Sequence, residues 1–149
     1  MPYDAAKSDL GENLSRAHAF LERFKRDGVH NRIGGRDTPA VEGGTFDVIS
    51  PIDLSMLAKT ARSGAKDIDR AAKAARHAFA EWATVPGEER KKILHRIADG
   101  IEARSDEIAL IECVDTGQAI RFMSKAALRA AENFRFFADT APQARDGLA

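Results

Sequence analysis

The side chains that could do chemistry are few in this sequence, and the thiol is the first of them. Cys113 is the only cysteine, and a cysteine becomes a nucleophile when its thiol ionises. It lies in an apolar stretch, where a lone cysteine usually acts as a small buried hydrophobic residue. We therefore predict that Cys113 is structural and that the chain carries no catalytic residue of its own.

Metal and nucleotide motifs are also missing from the sequence. The glycine pairs Gly34-Gly35 and Gly43-Gly44 do not form a Gly-x-Gly-x-x-Gly loop between a strand and a helix, so they are predicted to be turns. No His-x-x-x-His or Cys-x-x-Cys spacing occurs, which argues against zinc. The four histidines are expected to lie on solvated helix faces: His18, His30, His77 and His95.

Composition places the chain among globular proteins of one ordinary domain. It has 149 residues, of which 44% are hydrophobic, and 23 basic residues balance 23 acidic ones. A net charge of zero disfavours nucleic acid and an anionic membrane as partners. A single cysteine cannot form an internal disulfide, and no apolar run or basic leader indicates a membrane span or signal peptide. These features predict a cytoplasmic protein.

Patterning divides the chain into three segments. Residues 1–28 form an extension with one amphipathic helix, which Asn13 is predicted to cap and Gly28 to end, and which is expected to be a separate arm. Residues 29–62 carry short β-prone runs at 33–36, 45–49 and 56–60, separated by glycine and proline. Residues 63–149 are predicted to be helical almost throughout.

Four amphipathic helices are expected in this last segment. The first begins after Gly64 and places Ile68, Phe79 and Trp82 on one apolar face. The second follows Pro86-Gly87, and the third runs from about residue 105 to Gly117. The fourth runs from about residue 120 to Pro142, and its packing face is predicted to carry Met123, Ala127, Ala131, Phe134 and Phe137. Arginines near these phenylalanines could also indicate stacking on nucleic acid, but helical spacing favours the core.

An ordered set of short sequence motifs resembles the amino-terminal part of the NAD(P)-dependent aldehyde dehydrogenases. That family commonly has Ile-Asn-Gly-Glu-Trp, Asn-Pro-Ala-Thr-Gly-Glu, an alanine-rich helix ending in Trp, a Pro-Glu-Glu-Arg helix start and Leu-Glu-Thr-Leu-Asp-Thr-Gly-Lys-Pro. Here the corresponding positions are 33–36, 48–53, 67–82, 86–90 and 111–119. Ser50 and Ala119 depart from the pattern without affecting chemistry. The stretch at 133–138 resembles the branch that oxidises semialdehydes such as 5-carboxymethyl-2-hydroxymuconate semialdehyde.

The resemblance implies an α/β fold that is incomplete in this chain. It implies a short β arm followed by four helices that normally pack on the nucleotide-binding domain. The nucleotide-binding and catalytic domains, with the family's catalytic cysteine and glutamate, would lie beyond residue 149. The complete enzyme would oxidise an aldehyde to a carboxylate with NAD or NADP as a homo-oligomer, whereas this chain alone would bind no nucleotide and be inactive. Its partner would be the remainder of the enzyme chain.

One ion site also follows from the resemblance. In some family members the aspartate of the Asp-Thr-Gly signature and backbone carbonyls near the end of the second strand hold an alkali cation. Here these would be the Asp115 carboxylate and the carbonyls of Val48 and Ile49, with Na⁺ or K⁺ as the ion. Hard cations take oxygen ligands, so the chemistry is sensible. The alternative is that Asp115 hydrogen-bonds the loop that Gly117 closes.

Two other readings of the whole chain remain open at this point. A stand-alone helical module could present its apolar faces to a partner protein without catalysis. An inert remnant would instead have protease-labile helices and no partner. The downstream coding sequence would separate these readings from the enzyme.

Overall fold

The computed structural model describes residues 9–144, and the elements follow the β-then-helical order that the sequence predicts. The helices are α1 (Leu10–Asp27), α2 (Ala65–Trp82), α3 (Gly87–Ala103), α4 (Ser105–Thr116), α5 (Ile120–Met123) and α6 (Ala126–Thr140). A 3-10 turn, Ala141–Gln143, follows α6. The strands are β1 (Asn31–Ile33), β2 (Arg36–Thr38), β3 (Thr45–Ile49) and β4 (Met56–Ala61). No helix among residues 9–144 is long and apolar enough to cross a membrane.

The strands form two separate antiparallel hairpins. The β1–β2 hairpin turns at Gly34-Gly35, whose φ angles of 58° and 76° favour glycine, so the predicted turn is confirmed. The β3–β4 hairpin pairs Thr45 with Ala61 and is longer. Val29 ties the end of α1 to this second hairpin, because its N–H donates to the Lys59 carbonyl at 2.8 Å.

Helix α1 differs from its sequence-based description in two ways. It begins at Leu10, after Asp9, so Asn13 is inside the helix and the predicted cap is wrong. The prediction of a separate arm is also wrong, because Ala17 and Leu21 are 3% and 4% exposed against β4 and α4. Gly28 does end the helix, with φ at 72°.

The helical core is built from alanine. Helices α3 and α6 lie against each other, and Ala98 and Ala138 are both fully buried between the packed elements. A Cβ on Gly87 would lie 2.7 Å from the Pro142 Cα, so only glycine allows the start of α3 to meet the end of α6. Small side chains permit close approach, which explains why this core contains no fully buried large side chain among the described residues.

The predicted fourth helix is interrupted. It divides into α5 and α6 at Ser124-Lys125, and Ser124 is buried at 8% exposure. The buried face of α6 is the alanine face, so Phe137 lies 62% exposed and its predicted packing role is wrong for the described chain. Phe134 is half-buried.

Helix α2 leaves its apolar face uncovered. Ile68 and Phe79 are each 66% exposed, and Trp82 is 40% exposed. These are the residues that the helical pattern predicts on one face, and α2 contacts mainly β1. The helix therefore presents its hydrophobic stripe to solvent.

Candidate functional site

The Asp-Thr-Gly segment meets the end of β3 at a cleft of about 300 Å³. Asp115 from α4 and Val48 from β3 both line it, so the structure brings together two of the three predicted ion ligands. Ile49, the third, is 45% exposed and does not contribute to the lining. The other lining residues are apolar: Leu21, Phe24, Val29, Leu57, Ala58 and Ile111.

The end of α4 is shaped by Gly117 and Thr116. Gly117 adopts the left-handed conformation with φ at 75°, and its N–H donates to the Cys113 carbonyl at 2.9 Å. Gln118 N–H donates to Thr116 Oγ1 at 3.3 Å, so Thr116 makes the loop hydrogen bond that was the alternative role of Asp115. Within residues 9–144 the Asp115 carboxylate has no hydrogen-bond or ion-pair partner, which leaves it available to a ligand.

A bulge in the second hairpin changes the backbone next to Asp115. Val48 pairs with Ala58 and Ile49 pairs with Met56, so Leu57 is an extra residue on β4. A bulge interrupts the hydrogen-bond ladder and leaves backbone groups of the paired strands unpaired. The unpaired residue of this bulge is Leu57, which lies on β4 opposite Val48 and Ile49 and also lines the Asp115 cleft.

These features fit an alkali cation only as part of a ligand set. The Asp115 carboxylate is the one charged oxygen donor among the residues that line the cleft, the other lining residues are apolar, and a hard cation takes about six oxygens. No group of three or more His, Cys, Asp or Glu side chains among the described residues is arranged to hold a metal. Asp115, Val48 and Ile49 would thus be partial ligands of an ion completed by other groups.

Cys113 lies two residues before Asp115 on α4, in a second cleft. This cleft has a volume of about 190 Å³ and is lined largely by apolar side chains of α1 and α4. Burial first, and then the neighbouring carboxylate of Glu112, raise the pKa of the Cys113 thiol. A thiol held protonated is a poor nucleophile. The position fits the structural role predicted from the sequence.

The described residues do not fit a dinucleotide. The one connection from a strand of the larger hairpin into a long helix joins β4 to α2 through Arg62-Ser63-Gly64. It carries a single glycine, whereas a pyrophosphate loop needs several to let the backbone approach the phosphates. The N–H of Gly64 is already bonded to the Asp67 carboxylate at 3.0 Å. We therefore assign no nucleotide contact to residues 9–144.

A basic cleft was missed by the sequence analysis. Its volume is about 460 Å³, and it is lined by Arg121, Phe122, Lys125, Leu128, Arg129 and Glu132. No carboxylate of the described chain pairs with Arg121, Lys125 or Arg129, and the Arg121 guanidinium lies 4.8 Å from the Phe122 ring centroid. The spacing of four residues between these cations was a signal that could have been read, since in an unbroken helix it would place them on one face.

Helix α6 strengthens the positive potential of the basic cleft. Lys125 is the N-cap of this 15-residue helix, so the unsatisfied backbone N–H groups of its first turn lie beside the cations. Arginine pairs with carboxylates through two hydrogen bonds, and the aromatic face of Phe122 offers apolar contact. The cleft is thus suited to an anionic organic molecule.

The comparisons with known proteins agree with this geometry. The sequence pattern of the aldehyde dehydrogenase family matches residues 38–148. The NADP/NAD-dependent aldehyde dehydrogenase PuuC of Escherichia coli is 42% identical over 97 residues, which are 62% of this chain and 20% of that protein. The 2-hydroxymuconic semialdehyde dehydrogenase of Pseudomonas sp. is 38% identical over 113 residues, which are 74% of this chain and 23% of that enzyme.

A solved structure gives the same result at the level of the fold. HpcC of Thermus thermophilus superposes with a TM-score of 0.84 and 38% identity, over 87% of this chain and 25% of HpcC. The chain spans about a quarter of the length of the proteins it matches. The predicted resemblance, and the prediction that this is part of a larger α/β fold, are confirmed. This chain belongs to the aldehyde dehydrogenase family.

Proposed function

We propose that this chain is the amino-terminal part of an NAD(P)-dependent aldehyde dehydrogenase that oxidises an aldehyde to a carboxylate. The observation that carries the proposal is the superposition on HpcC, in which most of this chain corresponds to one quarter of a longer protein. The nicotinamide cofactor, NAD or NADP, accepts hydride from the substrate in such a reaction. The remainder of the enzyme would bind it, and the complete protein would be a cytoplasmic homo-oligomer.

The 149-residue chain by itself is proposed to be inactive. Its one thiol has a raised pKa and lies in a cleft between helices, and residues 9–144 contain no dinucleotide loop. The role of the residues present is to cover and support the nucleotide-binding part of the enzyme. Helix α2 supports this proposal because its apolar face is uncovered in the chain alone.

A split-protein experiment tests both parts of the proposal. The purified chain is mixed with aldehydes and NAD or NADP, and reduced nicotinamide is followed by absorbance. We expect no turnover from the chain alone. We expect turnover when it is co-expressed with the part of the Pseudomonas semialdehyde dehydrogenase that follows the matched segment. Turnover by the chain alone would refute its inactivity, and a soluble but inactive co-expressed pair would count against the enzyme role.

We further propose that the substrate is a semialdehyde that carries a carboxylate, of the kind met in aromatic catabolism. Two relatives are named as dehydrogenases of 2-hydroxymuconic and 2-aminomuconic semialdehyde. The basic cleft supports an acidic substrate, because Arg129 and its neighbours on α5 and α6 have no carboxylate partner in the described chain. In the assembled enzyme these cations would orient the substrate by its carboxylate end.

The substrate proposal is tested by comparing charged and neutral aldehydes. In the co-expressed pair, Arg129→Gln should raise KM for a carboxylate-bearing semialdehyde about tenfold or more, since a hydrogen bond to a charged group contributes about 1.5–3 kcal/mol. KM for benzaldehyde should change little. Arg36→Gln, on the β1–β2 hairpin, is the control. An equal rise in KM for both aldehydes would show that Arg129 does not recognise the substrate carboxylate.

The alkali cation at Asp115, Val48 and Ile49 remains a proposal of the same kind. A bound ion would link the end of β3 to the end of α4 and complete its ligand set with the rest of the enzyme. In the co-expressed pair, K⁺ or Na⁺ should then raise the melting temperature above that in a tetramethylammonium salt of equal ionic strength. Asp115→Asn should abolish the difference, and an unchanged difference would exclude this carboxylate as a ligand.

A second function, a non-catalytic interaction module, is favoured by one observation only. The uncovered face of α2 could contact another protein as well as the remainder of an enzyme. The module predicts a chain that stays monomeric and soluble by itself, which sedimentation would show. The enzyme fragment predicts self-association until its missing part is supplied.

A further inference from the structure

Helix α1 is held to the rest of the chain by ion pairs as well as by apolar side chains. Arg16 contacts Asp106 at 2.6 Å, and Arg23 contacts Glu107, which is 8% exposed. Glu107 also accepts two hydrogen bonds of 2.9 Å from Arg104, the residue that immediately precedes α4. Two arginines of α1 therefore reach the first turn of α4, where acidic residues are favoured by the helix dipole.

The apolar part of the α1 contact is small. Ala17 and Leu21 are buried, but Leu10 is 71% exposed and Leu14 is 46% exposed. A close-packed helix interface would bury the larger leucines and leave little empty space. The first part of α1 lacks that quality, whereas Phe20 and Phe24 further along are half-buried.

Two clefts lie beneath α1 and show the same loose packing. Leu21 and Phe24 form part of the wall of the Asp115 cleft, with a volume of about 300 Å³. Leu14 and Ala17 form part of the wall of the Cys113 cleft, with a volume of about 190 Å³. Poorly packed elements sit at the low end of local stability and open before the rest of the fold.

The chain after α1 is attached independently. Gly28 adopts φ of 72° and Val29 is fixed to β4, because its N–H donates to the Lys59 carbonyl and its own carbonyl accepts from the Ala61 N–H at 2.9 Å. Rotation at Gly28 could therefore release α1 while the β3–β4 hairpin keeps its partner. The main contacts of α1 are with β4 and α4, whereas α3 packs mainly on α6.

We propose that α1 is a strap, latched by Arg16–Asp106 and Arg23–Glu107, whose release opens both clefts while the remaining helices stay folded. Because the latch is electrostatic, ionic strength controls it: the screening length falls from about 10 Å at 0.1 M salt to about 3 Å at 1 M. Opening exposes the half-buried Cys113 thiol, whereas Asp115 is exposed whether the strap is open or closed. The strap thus controls access to the apolar walls of the two clefts, and this role does not depend on the proposed enzymatic function.

The native cysteine provides a direct probe of the strap. The rate at which the 149-residue protein reacts with a thiol reagent reports access to Cys113, the single cysteine. We expect this rate to rise about tenfold or more between about 0.05 M and about 1 M salt, after correction for the salt effect on free cysteine. The double variant R16Q/R23Q should react at the fast rate in both salts. In that variant the buried Glu107 remains paired with Arg104, while the half-buried Asp106 loses its bond from Arg16.

Two controls separate strap opening from other effects. Arg32→Gln removes an ion pair of 2.9 Å within the β1–β2 hairpin and should leave the labelling rate unchanged. At high salt, and in R16Q/R23Q at low salt, hydrogen exchange should show that the backbone amides of α1 lose protection while those of α3 and α6 keep it. The proposal is overturned if neither salt nor R16Q/R23Q changes the rate, or if α3 and α6 lose protection together with α1.

Discussion

The Asp67 carboxylate joins two distant segments of the chain through backbone amides. It accepts hydrogen bonds from Val41 N–H and Gly64 N–H, each 3.0 Å long, and it is 3% exposed. Gly64 is the N-cap of α2, while Val41 belongs to the loop between the hairpins. This side chain therefore fixes the start of the helix relative to the β arm.

Replacing Asp67 should destabilise the chain measurably. Asp67→Ala leaves two amides without their partner, and a buried unsatisfied group costs about 1–3 kcal/mol. Asp69→Ala, two residues away, removes only an exposed pair with Lys73 and should cost about 0.3 kcal/mol. Urea denaturation of both variants measures the difference. Equal losses of unfolding free energy would mean that the hydrogen bonds from Val41 N–H and Gly64 N–H to Asp67 contribute nothing to stability.

Glu107 makes the unfolding free energy of the chain depend on pH. Its hydrogen bond from Arg104 is the main cause that lowers the pKa of this carboxyl, and Arg23 lowers it further against the opposing effect of burial. A lowered folded-state pKa means that this stabilisation is fully present above the unfolded-state value, about 4.3, and is lost as pH falls through the folded value.

We therefore expect the unfolding free energy of the wild-type chain to fall below about pH 4.3. Glu107→Gln should make that fall shallower and should lower stability near neutral pH. Denaturation series at several pH values test this, with Glu88→Gln as a control on an exposed carboxylate of α3. Parallel curves for wild type and Glu107→Gln would contradict the assignment.

The apolar face of α2 shows what helical periodicity predicts and what it does not. The pattern correctly placed Ile68, Phe79 and Trp82 on one side of a helix, but it cannot say which surface covers that side. In α6 the predicted stripe is confirmed at Ala127 and Ala131, which are buried, but not at Phe137, which is exposed. Close helix pairing selects the smallest side chains, and hydrophobicity alone does not reveal that choice.

Long-range contacts limited the sequence analysis elsewhere too. Gly117, Gly28 and the Gly34-Gly35 turn were predictable because their backbone conformations are local properties. The docking of α1, the break at Ser124 and the basic cleft depend on residues far apart in the chain, and one sequence holds no record of those pairs. Asp115 and Val48 came together as expected because a family resemblance supplied the pairing.

A surface substitution on α2 tests the uncovered face. Phe79→Glu should leave the stability of the isolated chain within about 0.5 kcal/mol, because the ring is 66% exposed and makes little contact to lose. It should also reduce self-association, which sedimentation measures. In the co-expressed enzyme the same substitution should prevent assembly. A large loss of stability in the isolated chain would show that this face is already packed.

At the scale of the molecule, packing is distributed in separate patches. The α3–α6 pair and the α1–β4–α4 contact bury different sets of residues, the β1–β2 hairpin buries none, and no large side chain among the described residues is fully enclosed. Cooperative unfolding requires patches to be coupled through a shared core. The isolated chain is therefore expected to melt over a broad range of temperature.

Calorimetry tests this expectation directly. The isolated chain should show a broad, low-enthalpy transition, and co-expression with the remainder of the enzyme should give a sharp one. Circular dichroism at two wavelengths should give non-coincident melting curves for the isolated chain. A sharp, reversible transition of the chain alone would contradict the expectation, since it would require the patches to unfold as one unit.

The position of Trp82 has a practical consequence. It is the single tryptophan of the chain, it ends α2, and its ring is 40% exposed at the uncovered face. Intrinsic fluorescence should consequently come from one site, with no background from other indoles. Its emission should shift to shorter wavelength as another protein surface excludes water from the ring, so this protein carries a built-in optical sensor of its own assembly.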